Sequence, residues 1–364
     1  MLNTRYGLLK LTVNQKRKLK QTRTFLIAGI LLGNLFVIFS DGFEKIHPFI
    51  NATIGGILIA LVIAILEIWV FTGGVRKIKF IKLLTLRTLL YLFLITLILF
   101  NVMAISRMVR YDYTYLQTLT SAEFQNYIFK EDFPIVIVYT LAFAFSINFT
   151  RMLSRKMGQG MLLSHITGAY YKPVIQERII MFLNIENSKQ ISEKLSPMVF
   201  HNFLNDFFYD ITESIVMHQG IIYEYVEDLV VVTWVMSKGL KDGNCIRIFF
   251  HIQDELTELK EKYFNKYGLF PRIRASLHCG KLVRAEIGEI KTQIVFHGDV
   301  MNTTARILDN CYKINVELLA SAYLILRMDI PKIYEINSVG TIALKGKETT
   351  VELFKITEKE LVTI

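Results

Sequence analysis

Cysteine is scarce in this sequence, with only Cys245, Cys279 and Cys311 among 364 residues. The three are far apart and none belongs to a Cys-x-x-Cys pair, which excludes a disulfide framework and a cysteine-based zinc site. They suit a reducing, cytosolic compartment. A small-residue cleavage site is also lacking after the basic N-terminal stretch, so we expect a retained signal anchor rather than a signal peptide that is removed.

Charged residues make up only 20% of the chain, whereas 52% of it is hydrophobic. The long apolar runs occur in the N-terminal part, and the remainder has the mixed pattern of a globular domain. The formal net charge is +10, but much of the basic excess adjoins the apolar runs. This placement indicates charge at a membrane surface and argues against nucleic acid as a partner.

Four apolar stretches have about 17–25 residues each, the length that a helix needs to cross a bilayer. They cover residues 24–40, 53–71, 84–105 and 133–149. We therefore expect an α-helical domain of four membrane spans over residues 24–150. The other expected parts are a basic cytosolic segment (1–23), a cytosolic linker that transmits signals (151–177) and a separate domain (178–364).

The charges between the spans predict which side of the membrane each connection faces. The connections before span one and after spans two and four are basic, the one after span one is acidic, and the one after span three is mixed. By the positive-inside rule, both termini then face the cytosol, as in a multi-pass protein of the cell (inner) membrane. The basic residues are Lys16, Arg17, Lys18, Lys20 and Arg23, then Arg76, Lys77, Lys79, Lys82 and Arg87, then Arg151, Arg155 and Lys156.

Glu67 is a charged residue inside the second apolar stretch. Charges within a bilayer usually face the interior of a helix bundle, where they serve ligand binding or sensing. The alternative is that Glu67 lies near the cytosolic headgroups, or is neutralised, and only specifies helix packing. The sequence leaves both interpretations open.

The C-terminal part predicts a mixed α+β domain. Helical spacing of apolar residues indicates helices at 192–220 and 245–267 and from residue 302 onward. A Glu227-Asp228 pair between two short apolar segments predicts a hairpin. The predicted strands are 178–183, 221–226, 229–234, 273–278, 280–288 and 293–297. Their order with the helices, β-α-β-β-α-β, is the ferredoxin-like arrangement, which hosts many functions and therefore does not identify one.

Five strings in this domain resemble the class III adenylate and guanylate cyclase catalytic domain, and they occur in the order of that family. They are MFLNIENS (181–188), YEYVEDLVVVTW (223–234), HCGKLVRAEIG (278–288), VFHGDVMNTTARI (295–307) and LKGK (344–347). The resemblance extends over about residues 178–356. It implies a bacterial membrane-anchored cyclase that converts an NTP into a 3′,5′-cyclic nucleotide and pyrophosphate.

The resemblance implies a centre for two Mg²⁺ or Mn²⁺ ions, which two carboxylates hold. The matching positions are Asn184, Ile185 and Asp228, so an amide replaces the first carboxylate. Glu227 replaces the glycine that usually precedes the hairpin aspartate. We expect Asn184 to lower the rate by about 10²-fold or more. Glu227 is expected either to strain a turn that suits glycine or to point inward and restore the missing charge.

The resemblance also implies which residues bind the nucleotide. Asn302 orients the ribose and Arg306 holds the α-phosphate, and their four-residue spacing places them on one face of a helix. Lys345 binds the terminal phosphates. The turn at Asn187 and Ser188 approaches the phosphates, and Glu224 and Val295 occupy the base-selecting positions. A carboxylate at position 224 favours guanine, because it accepts hydrogen bonds from N1 and N2, but it does not decide between ATP and GTP.

Three functional hypotheses follow from these residues. The chain is an active membrane cyclase, whose sites form between the subunits of a homodimer. Alternatively, it is the impaired partner of an intact cyclase in a heterodimer, because it lacks one metal carboxylate but keeps Asn302, Arg306 and Lys345. The third hypothesis is a nucleotide sensor without catalysis.

Overall fold

The computed structural model describes residues 13–40, 42–43, 46–71, 79–130, 132–157, 164, 166–168, 172–289, 292–343 and 350–359. The chain divides into two compact units, Met1–Met157 and Gly158–Ile364.

The first unit consists of helices. They are α1 (Val13–Ser40), α2 (Ile46–Ile65) with a π-helical turn at its end (Leu66–Val70), α3 (Phe80–Tyr111), α4 (Tyr115–Thr120), α5 (Ala122–Phe129) and α6 (Asp132–Met157). Four segments are long and apolar enough to cross a membrane: Gln21–Phe39, Ile46–Ile68, Phe80–Tyr111 and Ala122–Ser154. The four predicted spans are thus confirmed by length and composition. The helices extend beyond the predicted apolar stretches, because polar residues at their ends continue the helical backbone.

Small residues allow α1 and α2 to pack closely. A Cβ atom on Gly29 would collide with the carbonyl oxygen of Gly56, and one on Gly33 would collide with that of Ala52. Close backbone approach at glycine and alanine is typical of helices that pack within a bilayer.

Glu67 lies in the π-helical turn and joins it to α3. Its Oε1 accepts a hydrogen bond from the Tyr91 hydroxyl at 2.6 Å and lies 3.5 Å from Nη1 of Arg87. Both charged side chains are only 1% exposed. The Arg87 guanidinium also lies 4.2 Å from the centre of the Phe71 ring. The structure therefore corrects the sequence analysis, which placed Arg87 in the connection between spans two and three: it lies two turns into α3, where the buried carboxylate stabilises its charge.

We expect the loss of either charge of this pair to destabilise the helical unit by about 3–5 kcal/mol, because the remaining charge would be buried without its counter-charge. The single variants Glu67→Met and Arg87→Met should therefore lower the thermal unfolding midpoint of the detergent-solubilised protein. The double variant should be more stable than either single variant. A double variant that loses as much as both single variants combined would show that the two charges are not coupled.

The second unit is a mixed sheet with helices on both faces. Its strands are β1 (Val174–Ile185), β2 (Ile221–Val226), β3 (Leu229–Val235), β4 (Ile273–Ile287), β5 (Gln293–His297), β6 (Leu318–Ser321), β7 (Tyr334–Ala343) and β8 (Thr350–Glu358). The sheet order is β2-β3-β1-β4-β6-β8-β7, and β5 pairs with the second half of β4. The first four strands thus have the predicted ferredoxin-like order. The pairing of β4 with β6 is parallel and the others are antiparallel.

The helices of this unit are α7 (Ser188–Lys194), α8 (Pro197–Asp210), α9 (Thr212–Met217), α10 (Met236–Leu240), α11 (Asn244–Glu258), α12 (Lys260–Tyr267), α13 (Asp299–Lys313) and α14 (Ala322–Ile325). A 3₁₀ turn, Lys241–Gly243, connects α10 to α11. Successive residues of β1 face two different apolar clusters. Met181 and Leu183 pack with residues of α8, α9 and α11, and Ile180 and Phe182 pack with residues of α13. Burial on both faces explains the continuous apolar run of this strand.

The structure corrects four of the predicted elements, two helices and two strands. The predicted helix 192–220 is divided into α7, α8 and α9, because Pro197 begins a new helix after the extended residues Leu195 and Ser196. The predicted helix 245–267 is divided at Leu259. The strands predicted at 273–278 and 280–288 form the single strand β4, because Gly280 has an ordinary strand partner in Arg178.

His278 on β4 makes the second unit sensitive to acid. Burial lowers its pKa to about 4, and the charge of Asp299 only partly opposes this shift. Its Nδ1 lies 2.7 Å from the hydroxyl of Ser321. In the unfolded chain a histidine has a pKa of about 6.5, so protons bind preferentially to the unfolded state as the pH falls from about 6.5 toward 4.

We expect His278 to reduce the free energy of unfolding by about 2 kcal/mol between about pH 7.5 and pH 5. Urea unfolding at both pH values, followed by the fluorescence of the buried Trp234, measures this effect; a Trp69→Phe background removes the second tryptophan signal. The His278→Gln variant should lack this part of the pH dependence. Equal pH dependence in both proteins would contradict the assignment.

Candidate active site

The C-terminal end of β1, which carries the predicted metal ligands Asn184 and Ile185, meets the β2–β3 turn, which carries Asp228. Asn184 is paired with Leu229 on β3 and with Arg274 on β4. The Ile185 amide donates a hydrogen bond to the backbone oxygen of Asp228 at 3.3 Å. The strand pairing thus brings Asn184, Ile185 and Asp228 together, although Asp228 lies far from the other two in the sequence.

Two turns at this junction have left-handed backbone conformation. Glu227 has φ of 54° and Asn187 has φ of 57°. Glycine adopts this conformation without strain, whereas a residue with a Cβ atom is strained in it. The prediction of a strained turn at Glu227 is therefore confirmed. The Glu227 side chain is exposed, and the Ser188 hydroxyl donates a hydrogen bond to Oδ2 of Asp228. The Asp228 carboxylate is therefore fixed in place, whereas Glu227 lies at the surface.

The donor atoms at this junction are oxygens. Oδ1 of Asn184 is buried, and no residue in the described part of the chain donates a hydrogen bond to it. An acceptor buried in this way, at the strand end whose next residue contacts Asp228, suits a hard cation such as Mg²⁺ or Mn²⁺. No group of three His, Cys, Asp or Glu side chains that could hold a metal occurs among the described residues. A metal here would therefore depend on amide and backbone oxygens as well as on carboxylates.

A second carboxylate, which the sequence analysis did not identify, lies next to Asn184. Oε1 of Glu186 accepts a hydrogen bond from Nη2 of the buried Arg274 at 2.6 Å. Arg274 also donates to the backbone oxygen of Cys311 at 2.7 Å and to the side chain of Asn315. Glu186 belongs to the string 181–188, which resembles the family. Only the strand register shows that Arg274, the partner of Glu186, is paired with Asn184.

Helix α13 carries the predicted ribose and phosphate residues. Val300, Ile307 and Leu308 are buried against the sheet. Asn302 is exposed and Arg306 is half-buried. Gly298 lies directly before the helix, where a Cβ atom would be 3.1 Å from the backbone oxygen of Lys281. The close approach of this glycine to β4 fixes the beginning of the helix.

The base-selecting positions lie next to a pair of stacked aromatic rings. The rings of Tyr223 and Phe296 are 4.1 Å apart and nearly parallel, and the Phe296 amide donates a hydrogen bond to the Tyr223 hydroxyl at 3.0 Å. Burial raises the pKa of Tyr223, so its hydroxyl stays protonated at neutral pH. These contacts bring β2 and β5 together, so Glu224 on β2 and Val295 on β5 are neighbours of the aromatic pair. Glu224 is exposed and Val295 is half-buried. The sequence analysis missed the aromatic pair, because β2 and β5 are distant in the chain.

The predicted ribose residue Asn302 and the β1–hairpin junction lie at different ends of α13. In the last turn of this helix, the centre of the Tyr312 ring lies 5.1 Å from the Arg274 guanidinium, which contacts Glu186 at the end of β1. Asn302 precedes Tyr312 by ten residues, which corresponds to about 15 Å along the helix axis. The predicted phosphate residue Lys345 lies outside the described residues.

Comparison with known proteins identifies the family. Residues 170–358, more than half of the chain, match the model of the adenylate and guanylate cyclase catalytic domain. Adenylate cyclase 2 of Rhizobium meliloti (strain 1021) is 32% identical over 226 residues, which are 62% of this chain and 62% of that protein. The receptor-type guanylate cyclase gcy-5 of Caenorhabditis elegans is 24% identical over 177 residues, which are 46% of this chain and 15% of that protein.

Solved structures agree with the fold. A bacterial light-regulated adenylyl cyclase superposes with a TM-score of 0.53 at 18% identity, covering 64% of this chain and 68% of that one. At this identity the likeness concerns the fold alone. The chain spans less than two thirds of the length of the Rhizobium relative. On the match over residues 170–358, and with the ferredoxin-like sheet, this chain belongs to the class III adenylate/guanylate cyclase family.

Proposed function

We propose that the protein is a membrane-bound nucleotidyl cyclase, which forms a 3′,5′-cyclic nucleotide and pyrophosphate from an NTP for intracellular signalling. The observation that carries the proposal is the placement of its polar residues. A fixed carboxylate, Asp228, lies at the junction of β1 and the hairpin, and Asn302 and Arg306 lie four residues apart on α13. In the resemblance described above, these residues match the positions that the family uses for cyclisation.

Cyclisation requires the ribose 3′-oxygen to attack the α-phosphate in line with the leaving pyrophosphate. Asn302 would hydrogen-bond to the ribose and so orient the attacking oxygen. Arg306 would hold the α-phosphate oxygens and stabilise the negative charge that grows on them in the transition state. Asn187 and Ser188 would form the turn that approaches the phosphates, and Lys345 would bind the terminal phosphates.

Asp228, Asn184 and the backbone oxygen of Ile185 would hold Mg²⁺ or Mn²⁺. When bound, the metal supplies positive charge that activates the attacking oxygen and neutralises the triphosphate. The buried Oδ1 of Asn184 fits this role, because it has no hydrogen-bond donor among the described residues. Asn184 is nevertheless neutral, so the centre has one negative charge fewer than a pair of carboxylates would provide.

We propose that the active site forms between two copies of the chain. The separation of about 15 Å along α13 supports this arrangement, because Asn302 and the helix end at Tyr312, which lies near the β1–hairpin junction, are at opposite ends of that helix. A symmetric dimer would place the metal ligands of one subunit opposite Asn302 and Arg306 of the other, and would form two equivalent sites. The four apolar helices would anchor the chain in the cell membrane, with both termini in the cytosol.

One observation favours a second candidate function. Because Asn184 is neutral, a homodimer would have the weaker metal centre in both of its sites. A heterodimer with an intact relative would keep one complete site, in which this chain supplies Asn302 and Arg306. Co-purification of the chain with a second cyclase from its own cells would support this alternative.

The proposal is tested by incubating the purified full-length protein with Mn²⁺ or Mg²⁺ and each of the four NTPs, and detecting cyclic products by mass spectrometry. We expect a cyclic nucleotide that is absent when Arg306 is replaced by alanine. The favoured substrate would also show whether Glu224 and Val295 select guanine or adenine. No product with any nucleotide and metal would rule out the homodimeric enzyme.

A further inference from the structure

Position 184 carries a neutral amide where the family has a carboxylate. The carboxylates around it are therefore candidates to supply the missing negative charge. Three lie at the junction of β1 with the β2–β3 turn: Glu186, Glu227 and Asp228. Asp228 already belongs to the proposed metal centre. Glu227 is exposed on a turn whose backbone is held in the left-handed conformation. Glu186 is the remaining carboxylate, and its contacts distinguish it from Glu227.

The strand register places Glu186 on the side of the sheet that carries Asn184. Asn184 and Arg274 are directly paired across β1 and β4. Residues paired in this way have their side chains on the same face of the sheet. Because Glu186 contacts Arg274 at 2.6 Å, its carboxylate must lie on that face as well.

Arg274 is fixed firmly enough to hold Glu186 in one position. Its guanidinium donates to the backbone oxygens of Cys311 and Val316 at the end of α13 and to the side chain of Asn315, in addition to Glu186. The contact with Glu186 uses Oε1. A carboxylate has acceptor capacity on both oxygens, so a cation could bind at Oε2 without displacing the arginine.

A third observation places Glu186 near Asp228. Residues on both sides of Glu186 in the chain contact Asp228: the Ile185 amide donates to its backbone oxygen at 3.3 Å, and the Ser188 hydroxyl donates to its Oδ2. The β1 end that carries Glu186 is therefore held against the turn that carries Asp228. The buried Oδ1 of Asn184, to which no described residue donates a hydrogen bond, is on the same face of the sheet as Arg274.

Resting on the proposed cyclase function, we infer that Glu186 supplies the second negative charge of the metal centre in place of the carboxylate missing at Asn184, and that Arg274 positions it. The centre then has two carboxylates, Glu186 and Asp228, with the neutral oxygens of Asn184 and Ile185 between them. The rate deficit expected from Asn184 alone would accordingly be partly offset.

Binding of Mn²⁺ to the full-length protein, without nucleotide, tests this inference. Free Mn²⁺ is measured by electron paramagnetic resonance, because its six-line signal decreases as the ion binds. We expect Glu186→Gln to weaken Mn²⁺ affinity by about tenfold or more. The matched control, Glu227→Gln, removes one negative charge from the β2–β3 turn. Its Mn²⁺ affinity should stay within about twofold of the original.

A rescue variant separates metal binding from a structural role of the Glu186–Arg274 pair. If Glu186 replaces the missing carboxylate, Asn184→Asp combined with Glu186→Gln should recover the original Mn²⁺ affinity. Failure of this rescue would show that Glu186 acts only on structure, and would overturn the inference. So would a loss of affinity in Glu227→Gln but not in Glu186→Gln.

Asp228→Asn distinguishes failure of the inference from failure of the proposed function. If Asp228→Asn weakens Mn²⁺ binding and Glu186→Gln does not, the metal centre exists but Glu186 is not part of it. If neither variant changes Mn²⁺ affinity, there is no metal centre at this junction, and the inference fails together with the cyclase proposal.

Discussion

Asp228→Asn is expected to lower the rate of cyclic nucleotide formation by about 10²-fold or more. The substitution keeps the size of the side chain and removes the one carboxylate that the hairpin turn directs toward β1. It leaves an acceptor for the Ser188 hydroxyl, so the local fold should persist. The initial rate is measured in the presence of Mn²⁺, with the NTP that the mass-spectrometric assay has identified as the substrate.

The matched control for Asp228→Asn is Glu227→Gln, which removes a negative charge from the neighbouring residue of the same turn. Because the Glu227 side chain is exposed, the rate of cyclic nucleotide formation by Glu227→Gln should differ from the original by less than about threefold. A similar loss of activity in both variants would indicate a general effect of charge on the turn. A small effect of Asp228→Asn alone would remove Asp228 from the metal centre.

Arg306→Ala is expected to lower kcat by about 10²–10³-fold, with a much smaller change in KM. The reason is that a positive group at the α-phosphate interacts most strongly with the charge that develops in the transition state. Steady-state kinetics over a range of NTP concentrations separates the two constants. Because Arg306 is only half-buried on α13, the fold should tolerate its replacement by alanine.

Lys313→Ala is the control for Arg306→Ala. It removes a positive charge from the exposed last turn of the same helix. We expect its kcat to remain within about twofold of the original, because Lys313 is about two turns from Arg306. A rise in KM without a fall in kcat for Arg306→Ala would mean that this arginine contributes to binding of the substrate and not to the chemical step.

Local patterns predict much of this fold. The hairpin of β2 and β3 is predicted to within one residue, because its strands are short, apolar and separated by a polar pair. The four spans and the ferredoxin-like order of the first four strands are also confirmed, whereas β6, β7 and β8 were not predicted. Helix breaks at Ser196 and Leu259 were not predicted, because apolar residues keep helical spacing on both sides of each break.

The candidate site is predictable where neighbouring residues define it. The four-residue spacing of Asn302 and Arg306 places them on one face of α13 from sequence alone. The contact of Glu186 with Arg274 joins residues 88 positions apart, and that of Tyr223 with Phe296 joins residues 73 positions apart. Such contacts depend on strand register and on how β5 packs, which no local pattern records. Arg87 was counted with the connection between spans two and three, although it lies inside the predicted stretch 84–105; its contact with Glu67 on another helix is not recorded in any local pattern.

The central claim is that each active site combines the metal ligands of one chain with Arg306 of another. Its most direct test is complementation between Asp228→Asn and Arg306→Ala, co-expressed with different affinity tags and purified through both tags in succession. Each variant alone should be inactive. A mixed dimer contains one site with both defects and one intact site, so we predict about half of the activity of the original protein carrying the same two tags. A mixed pair that co-purifies but stays as inactive as either variant would contradict the shared site.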